Sequence, residues 1–288
     1  MQLATLTESE FALFAKFVYD WAGIYLAPEK RTLLSNRLRQ RLKALSLDSF
    51  RAYYDRFRDD QFADEELPNF LSAVTTNETY FFRNERLWEL VGEKLIPEFV
   101  QRNGARSRSI KVWSAASSSG EEAYTAAILL RERVPDFDRW RISVIGTDIS
   151  KKVLEKARAG IYNEYAVAKM SDERRERLLT VEGDKFRVKD EIRKLVRFEF
   201  HNLRDPLPTG GYDLVLLRNV LMYFDTAMKQ QAIEVTSQAV APGGYLFIGD
   251  VDPTRTSPEL MSRMKLEIGP PGLYRRPVQT PALASTAS

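Results

Sequence analysis

The periodicity of the apolar residues changes once along this chain, and that change limits the fold to two parts. From Thr7 to about Leu71, apolar residues recur at helical spacing, as in Phe14 and Val18. Beyond Ile110 they form short runs rich in Val and Ile, each followed by a polar loop and a helical stretch. That alternation is typical of a parallel sheet covered by helices. We therefore predict an all-helical N-terminal domain followed by an α/β domain.

The change in pattern also predicts the boundaries. We expect the helical domain at 1–72, the α/β domain at 73–276 and a disordered tail at 277–288, since the tail has too little apolar surface to pack. A charged stretch at about 161–195 is long for a simple connection and predicts a small inserted subdomain. In the first helix, Ser9 is predicted as the N-cap and Gly23 as the end. The strands of the sheet are predicted at 110–113, 142–147, 196–200, 214–217 and 245–248.

Composition excludes several kinds of site. The chain has no cysteine and one histidine, His201, which excludes disulfides, iron-sulfur and zinc-thiolate centres, a multi-histidine metal cage and a thiol nucleophile. We predict no metal site, and a reducing cytoplasm fits this composition. The formal net charge is only +3, so nucleic-acid binding would need a local basic patch. No signal-peptide pattern is present, and no stretch approaches the ~18 uncharged apolar residues that span a membrane.

Small residues separate the first predicted strand from the helix that follows it. This stretch, 114–122, contains one glycine, Gly120, and no lysine, so it is neither a dinucleotide-binding GxGxxG loop nor a P-loop. Its two adjacent carboxylates, Glu121 and Glu122, would repel a pyrophosphate and suit a ligand with positive charge, such as S-adenosylmethionine. Taken alone, these two acids are better explained by a helix N-terminus, which they favour through its dipole.

Polar residues also end the strands that follow. Asp148 ends the second strand, where an acid in a nucleotide-binding fold accepts hydrogen bonds from ribose hydroxyls, although it could instead cap the next helix. Asn202 ends the third strand, where its amide can bond an adenine edge. The fourth strand ends at Arg218 and Asn219. Because the carboxyl ends of parallel strands share one edge of the sheet, these residues predict a ligand site there.

Three motifs in order along the chain indicate a family. They are NETYFFR at 77–83, WSA at 113–115 with SGEE at 119–122, and RNV at 218–220 with YF at 223–224. Together they resemble the chemotaxis-receptor glutamate O-methyltransferases of the CheR type, over nearly the whole chain. The resemblance implies an all-helical domain before a Rossmann-like, S-adenosylmethionine-dependent methyltransferase domain that carries a small antiparallel β-subdomain.

The same resemblance implies the residues of the site. Arg83 suits the methionine carboxylate, because a guanidinium binds a carboxylate with two parallel hydrogen bonds; the alternative is a solvent-facing arginine on a helix that starts at Asn77. Tyr223, together with Arg83, is predicted as catalytic, aligning the accepting carboxylate or the methyl group; a core aromatic is the alternative for Tyr223. Cofactor contacts are implied for Asn77, Thr79, Arg83, Glu121, Asp148, Asn202, Leu203, Asn219 and Val220.

A basic helix face predicts the partner. Six basic residues and no acid lie between Lys30 and Lys43, and Lys30, Arg37 and Arg41 share one face of the predicted helix. The resemblance implies that this face steers the glutamate-rich helical bundle of a receptor's cytoplasmic region. The alternatives are a solvated face and nucleic acid, but the helix lacks the aromatic residues that stack on unpaired bases.

We therefore predict a cytoplasmic, monomeric enzyme that methylates glutamate side chains of a chemoreceptor-like protein, without nucleic acid and without inserting into a membrane. Methyl transfer from a sulfonium to a carboxylate needs positioning rather than a strong base. The chain departs from the family pattern at 249–252, where the family usually has Gly-His-Ser-Glu and this chain has Gly-Asp-Val-Asp. Because of this difference, a regulatory module that binds without turnover stays an alternative. A nucleic-acid methyltransferase is a further alternative, disfavoured because its Asn/Asp-Pro-Pro-aromatic motif is absent.

Overall fold

The N-terminal part of the chain is helical. The computed structural model describes residues 5–75, 78–207, 209–249, 258–270 and 272–278. The first four helices are α1 (Glu8–Ala22), α2 (Arg31–Ala44), α3 (Phe50–Arg56) and α4 (Asp60–Val74).

A capping box starts α1 two residues before the predicted cap. The Thr7 hydroxyl accepts a hydrogen bond from the Glu10 N–H, and the Glu10 carboxylate accepts one from the Thr7 N–H. The prediction of Ser9 as the N-cap is therefore wrong. Gly23 ends the helix as predicted, in the left-handed region at φ 69°.

Arg41, one of the predicted partner residues, forms an ion pair inside the helical domain. Two guanidinium nitrogens of Arg41 donate hydrogen bonds of 2.7 Å to the two carboxylate oxygens of Glu66, whose side chain is 4% exposed. The Tyr53 hydroxyl donates to the same carboxylate at 2.8 Å, so the pair ties α2 to α3 and α4. Burial and the carboxylate raise the pKa of Tyr53 above its usual range. Arg41 is thus held inside the domain and does not belong to a free basic face.

The remaining elements alternate between strand and helix. In chain order they are α5 (Glu85–Leu90), α6 (Ile96–Gly104), β1 (Ser109–Ala115), α7 (Glu121–Arg133), β2 (Arg141–Asp148), α8 (Lys151–Ala159), β3 (Ile161–Tyr162), α9 (Glu164–Val167), α10 (Asp172–Leu178), β4 (Leu179–Glu182), β5 (Lys185–Val188), α11 (Asp190–Arg193), β6 (Val196–Phe200), β7 (Tyr212–Leu217), α12 (Thr226–Gln238), β8 (Val240–Ile248), α13 (Pro258–Met264), β9 (Glu267–Ile268) and β10 (Leu273–Arg275).

A mostly parallel sheet forms the centre of this part, in the order β6-β2-β1-β7-β8-β10-β9. Its first five strands in this order are parallel and include all five predicted strands. β10 pairs antiparallel with both β8 and β9, and neither β9 nor β10 was predicted. The fold class is therefore confirmed. From β1 the chain adds β2 and β6 on one side and then β7 and β8 on the other. The carboxyl ends of the parallel neighbours β1 and β7 therefore flank a crevice that suits ligands.

A second, antiparallel sheet has the order β3-β5-β4 and lies within the stretch predicted as an insertion. Its hairpin pairs Glu182 with Lys185, so Gly183 and Asp184 form a two-residue turn. Gly183 has a φ of 64°, and a turn of this length requires a positive φ that glycine adopts without strain. The small antiparallel β-subdomain is also confirmed.

The helical domain packs directly on the α/β domain. The Tyr19 hydroxyl donates to Asp225 at 2.7 Å, and the Asn202 amide donates to the Trp21 carbonyl at 2.8 Å. A single β-bridge pairs Ile24 with the loop before α12. One apolar core continues from α1 across this contact to β1, β7 and α12. In the described segments, none of the helices combines the length and the apolar character needed to cross a bilayer.

The internal ion pair predicts how Arg41→Met behaves. This change leaves the buried Glu66 carboxylate without its cation, and we expect the free energy of unfolding to fall by about 3 kcal/mol. Lys43→Met, at an exposed position on the same helix, is the control and should change stability little. Chemical denaturation followed by circular dichroism measures both. The double variant Arg41→Met/Glu66→Gln should recover part of the loss, and equal stability of Arg41→Met and the control would contradict the assignment.

Candidate functional site

A pocket opens at the carboxyl edge of the sheet, where β1, β2, β6 and β7 end. The segment 78–83 forms one wall, and the helical domain contributes Ala22 and Ile24 to another. The side chains that line it include Thr79, Arg83, Glu122, Asp148, His201, Asn202, Leu203, Arg218, Asn219, Val220 and Tyr223. The structure thus brings together the predicted cofactor residues, apart from Glu121; Asn77 lies outside the described residues.

The loop between β1 and α7 shapes the floor of this pocket. Ala116 and Ser118 adopt left-handed backbone, at φ 60° and 50°, which is unfavourable for residues with a side chain. At Gly120, with φ 96°, a Cβ atom would lie 2.7 Å from the ring of Phe198 and 2.9 Å from the Cβ atom of Ala157. Only glycine fits there, because it lets the start of α7 sit directly against the neighbouring strand and helix.

Asp148 holds two loops together at the end of β2. One carboxylate oxygen accepts a hydrogen bond from the Ser118 N–H and the other from the Ser150 N–H, both at 2.9 Å. Burial raises the pKa of this carboxyl, while the N–H groups act in the opposite direction. Asp148 does not cap α8, whose N-cap residue is Ser150. Its position on the pocket wall leaves it available to polar groups of a ligand.

The two glutamates at the start of α7 have different environments. Glu122 lines the pocket and accepts hydrogen bonds of 2.7 Å from the Ser114 hydroxyl and from the Arg218 guanidinium. Glu121 is not among the side chains that line the pocket, so its predicted cofactor contact stays a prediction; its carboxylate is buried and accepts from the Ser119 hydroxyl. Successive residues point about 100° apart on a helix, so only one of the pair faces the ligand side. The predicted cofactor contacts omitted Glu122 and Arg218, although the sequence analysis had already placed both residues at this edge of the sheet.

Arg83 lies in a turn rather than on a helix. Residues 78–84 are non-helical, and α5 begins only at Glu85, so the alternative of an arginine exposed on a helix from Asn77 is wrong. The guanidinium is half-buried, donates to the Glu78 carbonyl at 2.9 Å and lines the pocket. Arg218 donates to the Arg83 carbonyl at 2.9 Å and fixes this turn against β7.

The ends of β6 and β7 supply the opposite wall. The Asn202 amide group donates to Trp21 of α1, and its oxygen accepts from the Arg204 N–H at 3.1 Å. Asn202 therefore joins the two domains as well as lining the pocket. Asn219 adopts left-handed backbone at φ 54°, a conformation that asparagine tolerates better than most residues. Leu203 and Val220 add apolar surface to this wall.

Tyr223 stands where the pocket meets a second recess on the helical domain. Lys30 and Arg37 line that recess, and the Lys30 ammonium lies 5.7 Å from the centre of the Tyr223 ring. The Arg37 guanidinium also donates to the carbonyls of Ala73, Val74 and Thr75 at 3.2–3.3 Å, which satisfies the end of α4. Of the predicted partner residues, Lys30 and Arg37 thus lie beside the pocket and Arg41 does not.

The lining combines both signs of charge with apolar surface. Arg83 can bind a carboxylate, while Asp148 and Glu122 suit hydroxyl groups and a cationic group. In the described parts of the chain, no cluster of three or more metal-binding side chains occurs. A ligand with a carboxylate, a cationic centre and a nucleoside therefore fits these groups.

The burial of Glu121 predicts a pH-dependent stability. Desolvation raises the pKa of its carboxyl from 4.5 to about 7, so in this pH range the folded state binds more protons than the unfolded state. Stability is therefore lost as pH rises from about 4.5 to about 7. We expect Glu121→Gln, which has no proton to lose, to become more stable than the wild type by up to about 3 kcal/mol at pH 8.

Denaturant unfolding of the ligand-free protein at pH 5 and pH 8 measures this difference. Glu85→Gln, at an exposed position, is the control and should shift stability equally little at both pH values. A Glu121→Gln effect that does not change with pH would contradict the assignment.

Comparison with known proteins identifies the family. Residues 77–269 match the CheR methyltransferase, SAM binding domain, and residues 9–75 match the CheR methyltransferase, all-alpha domain. The chain is 36% identical over 257 residues to a chemotaxis protein methyltransferase of Vibrio parahaemolyticus, covering 86% of this chain and 90% of that protein. It is 32% identical over 253 residues to chemotaxis protein methyltransferase 2 of Vibrio cholerae, covering 86% and 87%. The chain therefore belongs to the CheR family of S-adenosylmethionine-dependent methyltransferases.

Proposed function

We propose that this protein transfers the methyl group of S-adenosylmethionine to glutamate side chains of a chemoreceptor, giving methyl esters. The observation that carries the proposal is the position of Tyr223, which lines both the cofactor pocket and a recess lined by Lys30 and Arg37. A carboxylate that enters through this recess meets cations on its way to the pocket. The names of the curated relatives, chemotaxis protein methyltransferases, support the same acceptor.

We infer the cofactor contacts from the lining of the pocket. Asp148 accepts from the ribose hydroxyls, Arg83 pairs with the methionine carboxylate, and Glu122 lies on the side of the cationic centre. Within the described segments, the buried Ser117 hydroxyl has no hydrogen-bond partner, which supports a polar ligand in this pocket. The remaining proposed contacts are Thr79, Glu121, Asn202, Leu203, Asn219, Val220 and, outside the described residues, Asn77.

The chain's contribution to methyl transfer is placement. The bound cofactor supplies a methyl group on a sulfonium, which makes that carbon reactive. A glutamate is ionised at neutral pH, so the acceptor needs no base. Lys30 holds the acceptor carboxylate, and Tyr223 aligns it through its hydroxyl or ring edge. With the cofactor bound, this placement would let the carboxylate oxygen take the methyl group as the carbon–sulfur bond breaks, which would leave a neutral sulfide and a neutral ester.

The surface around the recess supports an acidic, amphipathic helix as the substrate. Tyr25, Leu33 and Met222 leave 49%, 47% and 47% of their surface exposed, and each lies in or next to the recess or Tyr223. Apolar side chains beside Lys30 and Arg37 complement a helix that carries both leucine-like and glutamate side chains. We infer that the glutamate-rich bundle of the receptor's cytoplasmic region docks here, and that the protein acts as a monomer in the cytoplasm, without nucleic acid.

Asp148→Asn tests the proposed ribose contact. The amide keeps the size of the side chain but removes the charge and one acceptor, so we expect cofactor affinity to fall by ~1 to 3 kcal/mol. Titration calorimetry with S-adenosylhomocysteine measures the change. Because Asp148 also bonds the two loops, the thermal unfolding of each protein must be compared, and unchanged affinity in a folded variant would assign Asp148 to loop structure alone.

Lys30→Gln tests the proposed acceptor site. Receptor cytoplasmic fragments, RNA and DNA are incubated separately with methyl-labelled S-adenosylmethionine, and base-labile label on receptor glutamates is the expected result. In Lys30→Gln we expect KM for the receptor to rise roughly three- to tenfold, with a smaller effect at high salt, because steering is screened. Cofactor affinity should stay unchanged. Lys43→Gln is the control on the exposed part of α2.

Two outcomes would overturn this proposal. Label on nucleic acid instead of receptor would point to a different substrate class, and cofactor binding without label on any acceptor would favour a regulatory module. Equal kinetics for Lys30→Gln and Lys43→Gln would move the acceptor site away from the recess.

A further inference from the structure

The only histidine of the sequence stands in the cofactor pocket, and none of the contacts proposed above uses it. His201 follows β6, is 9% exposed and lines the pocket. Its Nε2 atom is buried and has no hydrogen-bond partner among the residues that the structure describes. Buried polar atoms are nearly always bonded, so an exception on the wall of a ligand pocket points to a partner on the ligand.

The hydrogen bonds around the ring show which kind of partner Nε2 needs. The Asp205 backbone acts to raise the pKa of the ring, the direction expected when an imidazole N–H faces a carbonyl oxygen; because Nε2 has no partner among the described residues, we assign this contact to Nδ1. The Asp205 N–H already donates to the Asn202 carbonyl at 3.0 Å, so the Asp205 carbonyl is the acceptor and Nδ1 carries the proton. Burial lowers the pKa of His201, which favours the neutral ring. Nε2 therefore presents a lone pair and requires a donor.

The ring is fixed in this orientation. Trp113 packs against it edge to face, with ring centres 5.7 Å apart, and the Trp113 indole N–H donates to the Thr147 hydroxyl at 2.9 Å. The His201 N–H donates to the Asp148 carbonyl at 3.1 Å, which ties the end of β6 to the end of β2. The lone pair is thus part of a preformed wall rather than of a mobile side chain.

The order of the strands identifies the part of the cofactor that meets this wall. From β7 and β1, which carry Arg218 and the small-residue loop, the edge of the sheet runs to Asp148 on β2 and then to His201 on β6. With the methionine end at Arg83 and the ribose at Asp148, the base lies toward β6. The donors that S-adenosylmethionine carries are its ammonium group, two ribose hydroxyls and the amino group of adenine. Only the last of these belongs to the base.

We propose that Nε2 of His201 accepts a hydrogen bond from the exocyclic amino group of the adenine and so selects adenine over a 6-oxo purine. A 6-oxo base presents an oxygen at this place, and two acceptors would then face each other in a buried site. His201 is a binding residue that contributes to cofactor specificity. The inference rests on cofactor binding and not on the identity of the methyl acceptor.

Calorimetry with two ligands tests the proposal. S-Adenosylhomocysteine carries the amino group, and S-inosylhomocysteine carries an oxygen in its place. We expect the wild type to prefer the adenosyl compound. In His201→Phe, which keeps a ring of similar size, the affinity for the adenosyl compound should fall roughly three- to tenfold, while that for the inosyl compound changes little or improves. Leu203→Ala, which removes apolar surface from the same wall but no side-chain hydrogen-bonding group, is the comparison variant for general damage to the base site.

His201→Gln keeps the experiment informative if the phenylalanine variant fails to fold. Its side-chain oxygen can accept a hydrogen bond near the position of Nε2, so it should retain a larger share of the preference for adenine. An equal loss of both ligands in a folded His201 variant would make the residue structural. A wild type with no preference between the ligands would overturn the proposal outright. Neither measurement uses a receptor, so a failure of the proposal for His201 can be told apart from a failure of the proposed methyl acceptor.

Discussion

The buried ion pair between Arg218 and Glu122 is the interaction on which the pocket depends. The guanidinium is 5% exposed, and it bonds Glu122 on α7 and the Arg83 carbonyl in the turn before α5. Glu122 in turn accepts from Ser114 on β1. Three segments that are distant in sequence therefore meet at one pair of charges. Removing either charge leaves the other buried and unpaired. The resulting loss of folding stability is far larger than the net stability that the intact pair contributes.

The rest of the site is arranged around this fixed point. The loop after β1 includes left-handed residues that are unfavourable by themselves, and Asp148 holds that loop through the Ser118 N–H. The helical domain covers the remaining side through Ile24. Each of these parts is positioned by hydrogen bonds to backbone groups rather than by a side chain alone. Such a pocket is largely formed before the ligand enters, which lowers the entropic cost of binding.

Sequence reasoning succeeded where the signal is local. The runs of Val and Ile are visible in single segments, so the five parallel strands could be located, and the strand ends then gave most of the pocket. Contacts between residues that are distant in sequence leave no such local signal. Arg41 looks like part of a basic face because its partner Glu66 is 25 residues away, and nothing in the spacing shows that the two meet.

The sequence pattern also does not predict the directions of side chains within the first turn of a helix. Glu121 and Glu122 are chemically identical neighbours, and the sequence does not show that only Glu122 lines the pocket at the start of α7. In α1, by contrast, the signal was present and was overlooked: Thr7 and Glu10 have the spacing of a capping box. The strands β9 and β10 have two and three residues, too few to show alternation.

The wall that the helical domain adds to the pocket has a consequence for inhibitor selectivity. A methyltransferase domain by itself offers a compound the floor and the strand ends, which many nucleoside-binding proteins resemble in shape and chemistry. Here Ala22 and Ile24 bring apolar surface from a different domain to the same cavity. A nucleoside analogue extended toward these two side chains would gain contacts that enzymes without such a domain do not have. Discrimination between methyltransferases then rests on the boundary between the domains rather than on the cofactor itself.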